Sequence, residues 1–174
     1  MVMEVDQFKA RLIGGGARAN LFKVRVNFPP GVSGNVDLTS YMCKAASLPA
    51  SVISPIEIPF RGRKLKIAGD REFEPWTITV INDTNFAVRN AFESWMNLIN
   101  GHTSNFGQVN PLLYQADLAI DQLDKNGVTV KTYDMRGCFP TNVSAIDVSY
   151  DSENTIEEFT VELQVQYWTS NTTI

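Results

Sequence analysis

Between residues 158 and 167 the chain alternates without a break. Phe159, Val161, Leu163, Val165 and Tyr167 fall on one side, and Glu158, Thr160, Glu162, Gln164 and Gln166 on the other. Period two over this length describes a strand with one face packed and one face wet. The same rhythm recurs from Leu21 to Phe28, where Phe22, Val24, Val26 and Phe28 oppose Lys23, Arg25 and Asn27. Trp76, Ile78 and Val80 alternate with Thr77 and Thr79, and Ile146, Val148 and Tyr150 with Asp147 and Ser149. Strands buried on both faces in a parallel sheet read as continuous apolar runs, so alternation predicts half-buried antiparallel strands.

Other segments carry the pattern less cleanly. Tyr41 to Leu48 and Val52 to Ile67 read as strands, the second interrupted by Pro55 and Pro59. Proline cannot donate to a ladder, so those positions belong at an edge or a bulge. Leu118 to Gln122 and Val128 to Arg136 flank Asp124-Lys125-Asn126-Gly127, and the Asn-Gly pair predicts a hairpin. One helix interrupts the strands, with Asp83 as N-cap, Val88, Phe92, Trp95 and Ile99 at helical spacing, and Gly101 as the stop. Phe92 and Trp95 are expected in the core. A shorter helix is predicted from Glu4 to Ile13, with Val5, Phe8 and Leu12 inward, ending at the flexible joint Gly14-Gly15-Gly16. The class is therefore mainly β with one main α-helix.

With 174 residues, a single domain burying roughly 70% of its unfolded surface is expected. No apolar run approaches the ~18 residues of a membrane span, so no membrane partner is expected. Met1 to Asp6 has neither a basic nor an apolar leader region, which predicts a cytoplasmic site of synthesis. The charge is sorted along the chain. Residues 1–71 carry eleven Lys/Arg against five Asp/Glu, a net of +6, and residues 72–174 carry four against fourteen, a net of −10. If these regions form separate surfaces, a basic patch on one molecule can meet an acidic patch on the next, and such heterologous contacts close into rings or propagate as filaments. If folding interleaves the two halves, the polarity cancels.

Catalytic chemistry has little to build on. His102 is the only histidine, so a triad or multi-histidine metal site lacks its parts. Gly14-Gly15-Gly16-Ala17-Arg18 has no Lys-Ser/Thr and precedes a strand, unlike a phosphate loop. Asp147, Asp151 and Glu153 have the wrong spacing for a calcium loop. Cys43 and Cys138 are too far apart for a zinc motif and read as buried thiols or as one bridge, within or between subunits. No catalytic residue, cofactor or metal is expected. Nucleic-acid binding has one candidate, the cluster Arg61, Arg63, Lys64, Lys66 and Arg71 beside Phe60, whose ring could stack on a base. A chain of net charge −4 and pI near 5.0 is a poor vehicle for affinity built on phosphate neutralisation.

Three stretches and a closing pattern point to a family. They are Cys43-Lys44-Ala45-Ala46-Ser47-Leu48-Pro49, then Arg63-Lys64-Leu65-Lys66-Ile67-Ala68-Gly69-Asp70-Arg71-x-Phe73-x-x-Trp76-Thr77-Ile78-Thr79-Val80, then Arg136-Gly137-x-Phe139-Pro140-Thr141-Asn142-Val143. With Phe159-x-Val161-x-Leu163-x-x-x-Tyr167-Trp168 at the end, they closely resemble the tail tube proteins of contractile-tailed bacteriophages. The resemblance covers residues 20–168, in the same order. It implies an antiparallel β-sandwich or barrel-like body over 20–168, an N-terminal arm over 1–19 and a C-terminal tail over 169–174.

The resemblance also implies a function. Subunits would form six-fold rings stacked into a hollow tube inside a sheath, one sheet from each joining a continuous barrel. The partners would be the chain itself, the tail sheath, baseplate and tail-terminator proteins, and DNA passing through the lumen without specific binding. The protein would reside in the virion after assembly in the host cytoplasm. Phe60, Arg61, Arg63, Lys64, Lys66, Asp70 and Arg71 would lie at a contact between subunits or rings, facing an acidic partner surface. A wall that lets DNA leave should be polar and weakly negative, which selects Asp117, Asp121, Thr132 and Asp134 as lumen-facing residues. Tube proteins of type VI secretion and of phage-like bacteriocins, and baseplate proteins that start a tube, share the resemblance. A monomeric ligand- or nucleic-acid-binding β domain is the rival of another class.

Overall fold

The computed structural model describes residues 5–173. In chain order its elements are α1 (Val5–Arg11), a 3-10 turn (Ile13–Gly15), β1 (Phe22–Val26), α2 (Val36–Met42), β2 (Cys43–Ala46), β3 (Ser51–Phe60) and β4 (Arg63–Phe73). There follow β5 (Trp76–Ile81), α3 (Ala87–Ile99), α4 (Pro111–Tyr114), β6 (Ala116–Leu123), β7 (Thr129–Val143), β8 (Glu158–Gln164) and β9 (Tyr167–Ser170).

The long strand β7 serves two sheets. Its first half pairs with β6 and β9, giving the order β1-β6-β7-β9, and its second half pairs with β8, giving β7-β8-β5-β2. All these pairs are antiparallel, as the alternation predicts. The strand turns the corner at Gly137, whose φ of +62° suits a residue without Cβ. A Cβ there would lie 2.7 Å from Gln166 Cγ, so the side is closed by a neighbour as well as by the backbone. The chain running alongside must bend too. The unbroken period of residues 158–167 is therefore split into β8 and β9 at Val165 and Gln166, and Tyr167, expected inward, is 50% exposed. β1 and β2 do not pair with each other, so the sheets form an open sandwich and no closed barrel.

Between the sheets lie the alternating apolar sets: Val24 and Val26, Trp76, Ile78 and Val80, Leu118 and Ile120, Met135, and Phe159, Val161 and Leu163, all buried. Full burial of each is worth about 1.5–3 kcal/mol over exposure. Helix α3 lays Val88, Phe92 and Trp95 on this core, with Ile99 partly buried at its end. Phe28 meets Phe92 and Trp95 edge-on at 5.5 and 5.8 Å, and Trp95 Nε1 donates to the Tyr114 carbonyl. Cys43 and Cys138 are buried free thiols, and burial pushes them up to about 11 and about 12.

Several expectations are corrected. Tyr41 and Met42 belong to α2, whose start is capped by the Asn35 side chain, and the strand begins only at Cys43. Two turns are too few for a helical period to show in the sequence. Val52 to Ile67 is not one strand but most of a hairpin, with Arg61 and Gly62 at its turn. Ile146 to Tyr150 forms no strand, because both edges of β8 are already taken by β5 and β7. The N-cap of α3 is Phe86, while the Asp83 carboxylate accepts from the Ala87 N–H one step further in. Helix α1 forms, but Val5, Phe8 and Leu12 are exposed rather than inward, and Glu4 lies outside the described residues.

Candidate functional site

Two surfaces carry the chemistry predicted from the sequence. The first is the outer face of the β1-β6-β7-β9 sheet. Register sets Lys23 opposite Asp121, Arg25 opposite Ala119, and these opposite Thr132 and Asp134 of β7. Because Leu118, Ile120 and Met135 point into the core, the alternate residues Asp117, Asp121, Thr132, Asp134 and Arg136 share the outer face. Asp117, Asp121, Thr132 and Asp134 are thus gathered on one side of one sheet.

These aspartates do not stand bare. Asp121 is largely buried, gripped by Arg25 through Nη2 and Nε at 3.1 Å each, and accepts from Thr132 Oγ1 at 2.7 Å. This two-point guanidinium–carboxylate geometry is the strong form of the contact. Asp117 pairs with Arg136 and accepts from the Gly137 N–H at 3.2 Å, which ties the corner of β7 to β6. The side-chain hydrogen bond to Asp117 raises the Arg136 pKa above its ordinary range, holding the guanidinium charged. Asp134 makes no ion pair among the described residues. With Lys23, Arg25 and Arg136 set against Asp117, Asp121 and Asp134, the face is charge-balanced rather than weakly negative. Sequence reasoning missed Arg25 as the counter-ion, since it lies 96 residues from Asp121 and only the β1–β6 register joins them.

The second surface is the β3–β4 hairpin, which pairs with no other strand among the described residues. Arg61 and Gly62 have φ of +45° and +83°, the left-handed pair that closes a two-residue turn. Ile56 faces Ile67, Ile58 faces Leu65 and Phe60 faces Arg63 on one side; Glu57 faces Lys66 and Pro59 faces Lys64 on the other. Both sides are exposed. The bulge between Ile53 and Pro55 then carries Asp70 and Arg71 towards the base. Two tryptophans fix that base: Trp76 Nε1 donates to the Ser47 carbonyl and Trp168 Nε1 to the Ala50 carbonyl, while Trp168 also packs on Phe73.

The predicted contact residues therefore split. Lys64 and Lys66 pair with Glu57 of their own hairpin. Arg61 lies over the Phe60 ring at 5.4 Å, occupying one of its two faces. Arg61, Arg63 and Arg71 have no carboxylate partner among the described residues. The exposed row Ile56, Ile58, Leu65 and Ile67 was not singled out from the sequence. Its signal was there: apolar residues at every second position on both sides of an Arg-Gly turn.

Among the described residues, the troughs beside His102 and beside Asp117 are open and bring no catalytic set together. A trough of about 690 Å3 beside Asp117 has Arg136 as its other charged group, and the two are paired. His102 Nδ1 lies 3.0 Å from Asn97 Oδ1, exposed. Among the described residues no group of three or more His, Cys, Asp or Glu could hold a metal.

Residues 17–171 match the family described as phage tail tube protein. Tail tube protein gp19 of Enterobacteria phage T4 is 34% identical over 164 residues, covering 94% of this chain and 97% of that protein. The tail tube protein of Serratia phage KSP90 is 31% identical over 165 residues, covering 92% and 93%. Among solved structures, a chain of the anti-feeding prophage baseplate superposes with a TM-score of 0.64 at 14% identity, covering 89% of this chain and 95% of its own. A chain of the anti-feeding prophage tube-terminating cap does so with a TM-score of 0.64 at 17% identity, covering 89% and 90%. A chain of an extracellular contractile injection system sheath–tube complex gives 0.51 at 18%, covering 97% and 98%. At these identities the structures show a shared fold.

Proposed function

The chain belongs to the phage tail tube protein family, and from that premise we propose that its subunits close into six-fold rings stacked as the hollow tube of a contractile tail. It is a structural component of a virion, in a family that is not an enzyme class. The observation that carries the ring is the open sandwich: β1 and β9 each leave an edge unpaired, on either side of a polar, charge-balanced face. Unpaired edges invite further strands, and joining them to the same sheet of a neighbour removes the liability. The face bearing Asp117, Asp121, Thr132 and Asp134 then lines the lumen.

On this reading DNA passes a wall on which two of the three cations, Arg25 and Arg136, are already engaged. Arg25 and Arg136 are held by aspartates and offer phosphate little gain, so sticking is avoided by balance rather than by repulsion alone. Asp134→Lys, a change that disturbs no ion pair, should leave assembly intact and slow DNA release from particles built with it. Unchanged ejection kinetics would argue against a lumen position.

The hairpin residues Phe60, Arg61, Arg63, Lys64, Lys66, Asp70 and Arg71 serve as the contact to a neighbouring subunit or ring. Solved chains of this fold sit in assemblies described as a baseplate, a tube-terminating cap and a sheath–tube complex. Equivalent sheath, baseplate and terminator proteins are the further partners proposed here, with assembly in the host cytoplasm. A tube of a contractile injection system is the second reading, favoured by those superpositions; the 34% identity to a phage protein against 14–18% to injection-system chains sets it behind. Nuclease-protected DNA inside isolated particles separates the two.

Negative-stain electron microscopy of the purified protein, over a range of concentration and salt, tests the ring. Rings or tubes with a stain-filled lumen are expected. A chain that stays monomeric throughout, and binds oligonucleotides with a steep salt dependence, would instead be a binding domain.

A further inference from the structure

Two surfaces of this chain are incomplete in complementary ways. We propose that the β3–β4 hairpin of one copy docks on the 144–157 loop of a second copy, its apolar row and unpaired arginines meeting the loop's exposed apolar side chains and unpaired carboxylates. The proposal rests on the tube reading above and names which surfaces of two subunits meet.

The hairpin brings an apolar face with nothing over it, Phe60 at its tip being 66% exposed, and Arg61, Arg63 and Arg71 without a partner in the chain among the described residues. Contiguous exposed apolar surface rimmed by charge marks a docking site. The 144–157 loop brings the counterpart. Val148, Tyr150 and Ile156 are exposed, Tyr150 wholly at 106%. Residues 144–157 contain four acidic residues and no Lys or Arg. Glu157 is engaged by Asn82 at 3.0 Å, whereas Asp147, Asp151 and Glu153 make no ion pair among the described residues.

Other exposed apolar segments lack this match. The stretch from Phe106 to Leu113 carries no charged residue at all, so it offers the arginines nothing. Helix α1 exposes Val5 and Phe8 beside Lys9 and Arg11, and its net positive charge opposes the hairpin. Both patches are exposed within one chain, so the contact is made between copies. Hairpin and loop are different patches of the same molecule, so the contact is head-to-tail and repeats from subunit to subunit. Opposite charges at its rim set the register and the rate of encounter, and the apolar row supplies the desolvated centre.

Cross-linking tests it directly. Phe60→Cys and Tyr150→Cys place new thiols on exposed positions, while the native Cys43 and Cys138 are buried and silent. The doubly substituted chain, oxidised under assembly conditions, should give a ladder of covalent multimers, and each single variant should not. Phe60→Cys with Phe106→Cys should give none. Charge reversal supplies the second arm: Arg61→Glu with Arg63→Glu should raise the concentration needed for assembly by about tenfold or more. Adding Asp151→Lys and Glu153→Lys in the same chain should restore it. Tubes that assemble without the Phe60–Tyr150 ladder, or a ladder formed through Phe106 instead, overturn the pairing and leave the tube reading standing. Absence of both tubes and multimers overturns both.

Discussion

The sandwich body and the β3–β4 hairpin are written in the same sequence language and end in opposite environments. In β5 and β8 every second residue is apolar and disappears between two sheets. In β3 and β4 Ile56, Ile58, Phe60, Leu65 and Ile67 line up in the same way and remain in water. Alternation states that a face is to be covered, but not by what. In the body the covering layer comes from the same chain; on the hairpin no layer covers the row among the described residues, and a two-stranded ribbon is barely stable alone.

That contrast can be broken or sharpened by substitution. The largest effect is expected from Trp76→Ala, which empties a fully buried site and gives up the hydrogen bond to Ser47. It should cost the folded monomer about 3–5 kcal/mol in denaturant unfolding. Asp121→Ala should follow, at about 1–3 kcal/mol, because Thr132 and Arg25 lose their acceptor, with the lower end favoured by the half-exposed Arg25 recovering water. Gly137→Ala forces a side chain into left-handed backbone against Gln166 and should lower thermal stability by about 1–2 kcal/mol. Phe60→Ala removes an aromatic ring of similar class to those in the core, yet should leave monomer unfolding within about 0.5 kcal/mol and register only in assembly. If it destabilises the monomer as Trp76→Ala does, the two regions are not different in kind.

Burial in the body also fixes a pH dependence. The folded Cys138 thiol is pushed up from 9.0 to about 12, mainly by burial. A folded value above the unfolded one means the fold retains a proton the unfolded chain releases. The associated stability is complete below about pH 9 and is lost as pH rises from there towards about 12. Unfolding midpoints measured between pH 8 and 11 should fall, and fall less steeply for Cys138→Ala.

Much of the body was legible because one buried face leaves a mark at every second residue. β1, β5 and β8, the Asn-Gly hairpin and the α3 stripe all carry it. Where the outcome depended on pairing, the sequence was silent. Ile146, Val148 and Tyr150 alternate well, but a strand needs a free edge and β8 has none. The turn at Arg61-Gly62 hid because arginine seldom takes positive φ, and proline at 55 and 59 drew attention from it. For the polar face, the aspartates were found from alternation, while their neutralisation by Arg25 and Arg136 depended on which strands lie side by side.

The shared strand β7 has a mechanical meaning. A pull along its axis loads the β6 and β9 hydrogen bonds at one end and the β8 bonds at the other, in shear and together, with no loop between them to stretch first. The two layers of the sandwich are one covalent chain at that corner, where the Asp117 carboxylate of β6 holds the Gly137 N–H of β7. A load along β7 therefore runs from one sheet into the other through the backbone itself.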